Sequence, residues 1–527
     1  MKSFVKGAAV LGIAGLIVKL IGAVYRIPLA NIVGVNGMAY YEVAYPYYSW
    51  LLVVSSAGLP TAISKLVSER VSIGDYRGAH AVFRTAFKLL VIIGILTSLL
   101  FFFLSDPIAD MSGLPAANLS FKALAPALFI ASIMCAYRGY LQGLQHMTGT
   151  AVSQVVEQLG KLLVGFTLAA KLLPMGPEYA AMGALIGVSV SELMALIAIF
   201  FIYRKKKKEI LITMNESPHV RSRGPSVIKQ LLMLAIPITI GASIMPLTAI
   251  ADSAMILNVM TDSGFSLENA MGAYSILRSN VTVFINMPAV LTMALAMSLV
   301  PAVSSKIAGR DIKGAVQASK TGMKLALIVG APCAIGLFLF GKQIIGMLFT
   351  SLDEGHLLLA QDLMRTASIG VLFLSLVQTL TGIIQGLGRP FVPVINLVFG
   401  GILKVVTMLI LMPIPSINIQ GAAVSTVVCY AAAGILDTIY VIRKTRMRID
   451  VWDVFLKPIV ASLIMGGFAY ITFLAIGGTH PVVGTIAAIG VSVIVYGALL
   501  VLFKMLSKED LEFMPGGRKI RKLIYKS

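Results

Sequence analysis

Residues 59–65 read Leu59-Pro60-Thr61-Ala62-Ile63-Ser64-Lys65, and residues 300–306 read Val300-Pro301-Ala302-Val303-Ser304-Ser305-Lys306, a return of one apolar, proline-bearing pattern after 241 positions. The flanks return in the same order. Asp75-Tyr76-Arg77-Gly78-Ala79 reappears as Asp311-Ile312-Lys313-Gly314-Ala315 at a shift of 236, and Lys88 and Gly94 reappear as Lys324 and Gly330 at that shift. Gln142-Gly143-Leu144 reappears as Gln385-Gly386-Leu387 and Lys161 as Lys404, both at 243. Tyr203-Arg204-Lys205 resembles Ile442-Arg443-Lys444 at 239. Ordered matches at nearly one shift mark an internal duplication.

Each copy is made of apolar segments. Of the 527 residues 58% are apolar and 13% are charged, about half the charged share of soluble domains. A soluble core cannot hide that much apolar surface, which excludes a water-soluble enzyme. The scarcity of polar low-complexity sequence excludes disorder. Apolar windows fall at 7–31, 43–64, 86–105, 122–144, 150–172, 180–203, 229–257, 271–302, 322–349, 358–386, 391–412, 420–442, 456–476 and 481–504. Each approaches or exceeds the ~20 residues that cross a bilayer core. Backbone groups in lipid must bond within their own segment, and these runs are too long and continuous for barrel strands. The expected fold class is therefore an all-α integral membrane protein of fourteen transmembrane helices. Spans 1–6 repeat as spans 7–12, and because six is even the two six-helix repeats are parallel; two extra C-terminal helices follow. The expected domains are 1–228, an N-terminal six-helix lobe with a connecting cytoplasmic loop; 229–450, the second lobe; and 451–527, the extra helices and a basic cytoplasmic tail. The segments 65–88 and 306–324 are read either as matching amphipathic elements or as plain hairpins.

The net charge of +20 is read as topology rather than as a nucleic-acid partner, because cytoplasmic loops collect Lys and Arg. Lys2 and Lys6 precede an apolar run with no convincing cleavage site, so the N-terminus reads as a first span. With that end inside, thirty-four basic residues fall on inner segments and four (Lys122, Lys171, Lys342, Arg365) on outer connections. Both termini are expected to be cytoplasmic. Arg204 to Lys208 reads as the stop of span 6, and Arg518–Lys522 suits anionic headgroups. The outer connections are short, which leaves no room for a folded outer domain. Cys135, Cys333 and Cys429 sit in apolar runs and give neither metal spacing nor a disulfide framework.

Ionisable groups inside spans are costly and usually face a cavity or a partner. The basic ones are Lys19, Arg26, Lys161, Arg278 and Lys404; the acidic ones are Glu157, Glu192, Asp252 and Asp437, with Glu42 at the outer start of span 2. Lys19 and Arg26 are two turns apart and share a helix face; Glu157 and Lys161 are one turn apart and can pair. Lys161 and Lys404 are equivalent under the repeat and would suit an anionic substrate held between the halves. These five cations are the candidate substrate-binding residues of a cationic cavity. Asp252 and Glu157 are the candidate ion-coupling groups or charge partners, Asp252 being able to pair with Arg26 or Arg278 or to carry a coupling cation. No G-x-x-x-x-G-K-[ST] or H-E-x-x-H occurs, and no nucleophile–base pair stands out. The expectation is a transporter rather than an enzyme, without cofactor or metal, driven by the membrane potential, H+ or Na+.

The run from Lys19 through Arg26 to Gly34 and Gly37, and Ala57-Gly58-Leu59-Pro60-Thr61-Ala62-Ile63-Ser64-Lys65-Leu66-Val67-Ser68-Glu69 after it, resemble the stage V sporulation protein B branch of the polysaccharide transporter family. Tyr140-Leu141-Gln142-Gly143-Leu144-Gln145-His146-Met147-Thr148 to Gln154-Val155-Val156-Glu157-Gln158 is also similar to that branch. The resemblance covers essentially the whole chain. The family lies in the multidrug/oligosaccharidyl-lipid/polysaccharide exporter superfamily, which includes the lipid II flippase. It implies a flippase of the bacterial cytoplasmic membrane that moves an undecaprenyl-pyrophosphate-linked sugar, lipid II or a related cell-envelope precursor, from inner to outer leaflet by alternating access. It also implies span 1 cations lining the cavity, a pattern Lys19 and Arg26 match, and a lipid-tail groove formed by the two extra spans. The expected partners are the lipid-linked oligosaccharide and the bilayer, with no nucleic acid, and a monomer suffices because the duplication supplies both halves.

Three rival functions are set against this. A cation-coupled multidrug exporter would favour an acidic, aromatic cavity and twelve spans. A membrane-embedded glycosyltransferase or ligase would need a substantial outer loop with acidic or histidine chemistry. A non-transporting scaffold has little reason to keep charges inside its spans.

Overall fold

A computed structural model of the chain describes residues 2–56, 58–216 and 226–505. A few side chains near the N-terminus and around position 210, that of Lys19 among them, lie outside the described residues, as does the basic run Arg518–Lys522. The chain is helical throughout, and no strand occurs among the described residues. Twelve helices in this set are long and apolar enough to cross a membrane. The count differs from the fourteen sequence windows for physical reasons. The first two windows run together in one helical stretch that is kinked rather than ended, and window 150–172 is divided by a π-helical turn.

The chain forms two compact units, Met1–Asn258 and Val259–Ser527. The first holds α1 (Lys2–Ser56), α2 (Gly58–Ser72), α3 (Tyr76–Phe103), a short α4 (Ser105–Met111), α5 (Asn118–Gly143), α6 (Met147–Gly160), α7 (Phe166–Leu172), α8 (Pro177–Glu216) and nearly all of α9 (Val227–Asp262). Helix α9 is the one the sequence reading placed at the start of the second lobe. Here Ser253 Oγ donates to the Val43 carbonyl at 2.8 Å. The second unit holds α10 (Leu267–Ser275), α11 (Thr282–Ala308), α12 (Ile312–Leu348), α13 (Glu354–Gly386), α14 (Phe391–Leu411), α15 (Ile419–Thr445), α16 (Lys457–Gly477) and α17 (Pro481–Leu502).

The outward faces are apolar. On α3, Ile92, Leu96, Leu99, Leu100 and Phe103 are all exposed, which is tolerable only in lipid. Since lipid is as apolar as leucine, helices associate through close packing of small residues. Gly187 of α8 lies so close to Gly165 that an added Cβ would stand 2.2 Å from the Gly165 Cα. In the segments 65–88 and 306–324 one helix ends and the next begins after a short turn. Helix α2 runs through Ser72 and α3 starts at Tyr76; α11 ends at Ala308 and α12 starts at Ile312. Both second helices start in one way: Asp75 accepts from the Gly78 N–H at 2.7 Å, and Asp311 accepts from the Gly314 N–H at 2.8 Å. The two last helices pack on α12, where Tyr496 Oη donates to the Ile328 carbonyl at 2.8 Å and Asp453 bridges Lys324 and Lys457 at 3.0 and 2.8 Å.

Candidate functional site

Gly34 decides what Arg26 can reach. Sixteen positions separate Arg26 from Glu42, a rise of about 24 Å along a straight helix, too far for their side chains to bridge. Gly34 breaks α1 with φ 74° and ψ 176°, a conformation open to glycine and strained for other residues. Across that kink Arg26 Nη1 lies 3.1 Å from Glu42 Oε1. The Glu42 side chain is 1% exposed and that of Arg26 is 24% exposed. The carboxylate is tolerated because it is paired, and the arginine side chain stays partly exposed. Its Cζ also stands 6.0 Å from the centroid of the Tyr45 ring, at the limit of a cation–π contact.

A second set of charges is built by α5, α6 and α8. Arg138 donates through Nη2 to Glu157 Oε2 at 3.1 Å and through Nε to Ser153 Oγ at 2.9 Å. Lys161 Nζ donates to Glu157 Oε1 at 2.8 Å. Each Glu157 oxygen therefore holds a different cation, and the trio keeps one positive charge. Lys161 opens the π-helical turn Lys161–Gly165, a local widening that recurs at functional sites. Glu192 of α8 is 2% exposed and receives the Tyr48 hydroxyl at 3.4 Å, while its Oε2 has no hydrogen-bond partner among the described residues. Glu192 also lies within electrostatic range of Lys161. A tyrosine row ties the two sets together: the Tyr45 ring is 5.4 Å from Tyr41 and 5.7 Å from Tyr48. The first unit thus gathers three cations (Arg26, Arg138, Lys161) and three carboxylates (Glu42, Glu157, Glu192).

The residues singled out by sequence fall in different places. Lys161 and Glu157 are together, as one-turn spacing predicts. Arg26 is held by Glu42, which the sequence left without a partner. Asp252 is buried on α9, next to the Ser253 that is bonded to the second half of α1. Arg278 and Lys404 belong to the second unit, Arg278 in the π-helical turn Ile276–Val281 and Lys404 buried on α14. The side chain of Lys19 lies outside the described residues. Arg138 was missed, having been counted with the inner-facing basic residues. The available signal was its position inside the apolar window 122–144, with a lone glutamate, Glu157, in the next window. Such a cluster can exchange ions: a phosphate with more charge than a carboxylate can take Arg26 from Glu42 by bidentate hydrogen bonding.

Comparison with known proteins fixes the family. The polysaccharide biosynthesis protein family matches residues 4–307, and the MatE family matches residues 237–410. Stage V sporulation protein B of Bacillus subtilis (strain 168) is 25% identical over 521 residues, covering 98% of both chains. Lipid II flippase MurJ of the same organism is 26% identical over 445 residues, covering 81% of this chain and 80% of the flippase. Among solved structures, lipid II flippase MurJ in an inward closed conformation aligns with TM-score 0.70 at 16% identity over 93% of this chain and 98% of the other. An inward-facing MATE family multidrug resistance transporter of the MOP superfamily aligns with TM-score 0.67 at 16% identity over 84% and 98%. The chain is a multi-pass membrane protein that belongs to the polysaccharide biosynthesis protein family and has the fold of the MurJ and MATE transporters.

Proposed function

We propose that the protein is a transporter, a flippase that moves an undecaprenyl-pyrophosphate-linked sugar from the inner to the outer leaflet of the bacterial cytoplasmic membrane. The observation that carries this reading is the Arg26–Glu42 pair, in which the carboxylate side chain is buried and the arginine side chain is partly exposed. Glu42 acts as a placeholder. Without substrate it neutralises a cation that the membrane interior tolerates poorly. A pyrophosphate displaces it, and the displaced carboxylate favours release once the cavity has turned outward. Fourteen spans, cytoplasmic termini, two six-helix lobes and a lipid-tail groove at α16 and α17 complete the reading, with Lys161, Arg278, Lys404 and Lys19 as the further cations. The name of the flippase relative supports the substrate class. Energy comes from the membrane potential or an H+ or Na+ gradient, for which Glu157 and Asp252 are the candidate coupling groups.

The test is transbilayer movement of fluorescent lipid II in vesicles carrying the purified protein. Arg26→Ala should abolish movement, and Glu42→Gln should tighten lipid II binding while slowing release. Normal movement by both Arg26→Ala and Arg26→Lys would refute the placeholder. A second reading, a cation-coupled multidrug exporter, is favoured by the buried Glu192 and the largely enclosed Glu157 together with the MATE-like fold. It requires gradient-driven export of a cationic dye that fails in Glu192→Gln and survives in Arg26→Ala.

A further inference from the structure

Helices α14 and α15 lie side by side in the second unit, the first turn of one beside the last turn of the other. Between these ends is a cavity of about 460 Å³ that includes Val392 of the first turn of α14. Leu436 and Ile439 give it an apolar wall, Asn396 and Tyr440 a polar one, and Arg443 and Lys444 the remaining lining. Both cations are exposed, and neither forms an ion pair among the described residues. They occupy the last turn of α15, where the helix dipole favours positive charge. The dipole explains the cations and does not explain a cavity beside them. The acid nearby is closed off: Asp437 is fully buried and accepts the Asn396 amide at 2.7 Å. Phe391, Ile395 and Ile435, each next in sequence to a lining residue, are exposed and apolar, a surface that suits lipid.

We infer that this groove binds one anionic phospholipid of the leaflet at the basic helix ends. The phosphate sits between Arg443 and Lys444 near the Tyr440 hydroxyl, and an acyl chain follows Leu436 and Ile439 toward Ile435. Two adjacent cations read a phosphate diester, and a zwitterionic headgroup carries its own ammonium to compete with them. The volume fits one ligand, within the ~300–1,000 Å³ of small-molecule sites. The site is separate from the charge cluster of the first unit and does not depend on the transported substrate.

Native mass spectrometry of the full-length protein in detergent tests it, with phosphatidylglycerol, phosphatidylcholine and inorganic phosphate as separate probes. Phosphatidylglycerol should be retained over phosphatidylcholine, and Arg443→Gln/Lys444→Gln should lower its retention about fivefold per charge removed. Lys313→Gln/Lys320→Gln, which removes two basic residues at the start of α12, should leave retention unchanged. Ile439→Trp keeps both cations, fills the groove and should also reduce retention, so the result does not depend on the charge variant inserting correctly. Equal retention by wild type, the charge variant and Ile439→Trp overturns the inference. Inorganic phosphate retained as well as the lipid, and unaffected by Ile439→Trp, overturns it in favour of a free-anion site.

Discussion

Glu157 and Gly400 occupy one register in the two copies of the duplicated chain, each one turn before its lysine, Lys161 or Lys404. In the first unit the glutamate binds its lysine at 2.8 Å and Arg138 at 3.1 Å. In the second unit position 400 has no side chain, and an added Cβ would lie 2.6 Å from the Cys429 carbonyl oxygen. The residue in register with Arg138 is Thr381. Packing contacts, by contrast, recur. Gly94 lies against Ser132 and Gly330 against Ser375; Gly143 lies against Val67 and Gly386 against Val303. Close backbone approach is what holds helices together in lipid, so the packing glycines are kept in both copies. The charges at this register differ: a glutamate stands one turn before Lys161, and a glycine in a helix contact stands one turn before Lys404.

Glu157→Ala is the hardest test of this contrast. It leaves the buried Lys161 and the largely enclosed Arg138 together without their carboxylate, and breaking a buried pair costs about 3–5 kcal/mol. Thermal unfolding in detergent should show a large loss that Glu157→Gln only partly restores. The mirror change, Gly400→Glu, should not create a second cluster, because the backbone contact with Cys429 must open first. A stable Gly400→Glu variant would end the claim that the two units are locked into different roles.

Gly34 gives the next largest effect. Alanine there meets no neighbour within 4 Å, but must adopt φ 74°, a strain of roughly 1–3 kcal/mol. In the other unit the turn between α9 and α10 spreads over Ser263 to Ser266 with Gly264 at φ 91°. A loop can redistribute that strain, so Gly264→Ala should cost less than Gly34→Ala. Equal losses would mean that the α1 kink stores no more strain than an ordinary turn. Tyr48→Phe should cost about 1 kcal/mol for its buried hydrogen bond to Glu192.

These residues also mark what the sequence could and could not disclose. Span positions were legible because composition alone forces helices in lipid, and the Glu157–Lys161 pair followed from one-turn spacing. The Arg26–Glu42 pair was hidden because it depends on a glycine kink, and a glycine in an apolar run carries no sign of its φ. Arg138 was hidden by its place near the end of a span, where a cation reads as a loop residue. Whether two apolar windows join into one kinked helix, or a π-helical turn divides a third, depends on backbone geometry rather than on composition, hence twelve long apolar helices among the described residues against fourteen windows.

The smallest effect concerns the two Asp-x-x-Gly helix starts, and it separates local chemistry from burial. The Gly314 N–H, and then Lys306 at 3.0 Å, hold the exposed Asp311 carboxyl below its ordinary range. A carboxyl depressed in the folded state adds stability above its unfolded value of about 3.9, and that stability is lost as pH falls through the folded value. The Tm difference between wild type and Asp311→Ala should therefore hold steady from pH 7 to pH 5 and close at lower pH. Asp75 makes the same cap and a matching pair, with Arg70 at 3.0 Å, but is buried where Asp311 is exposed, so Asp75→Ala should lower Tm further. If both variants lose the same amount at pH 7, the cap and its ion pair set the helix start and the burial of Asp75 adds nothing. If only Asp75→Ala is costly, the motif persists in the second copy as a relic of duplication rather than as a working cap.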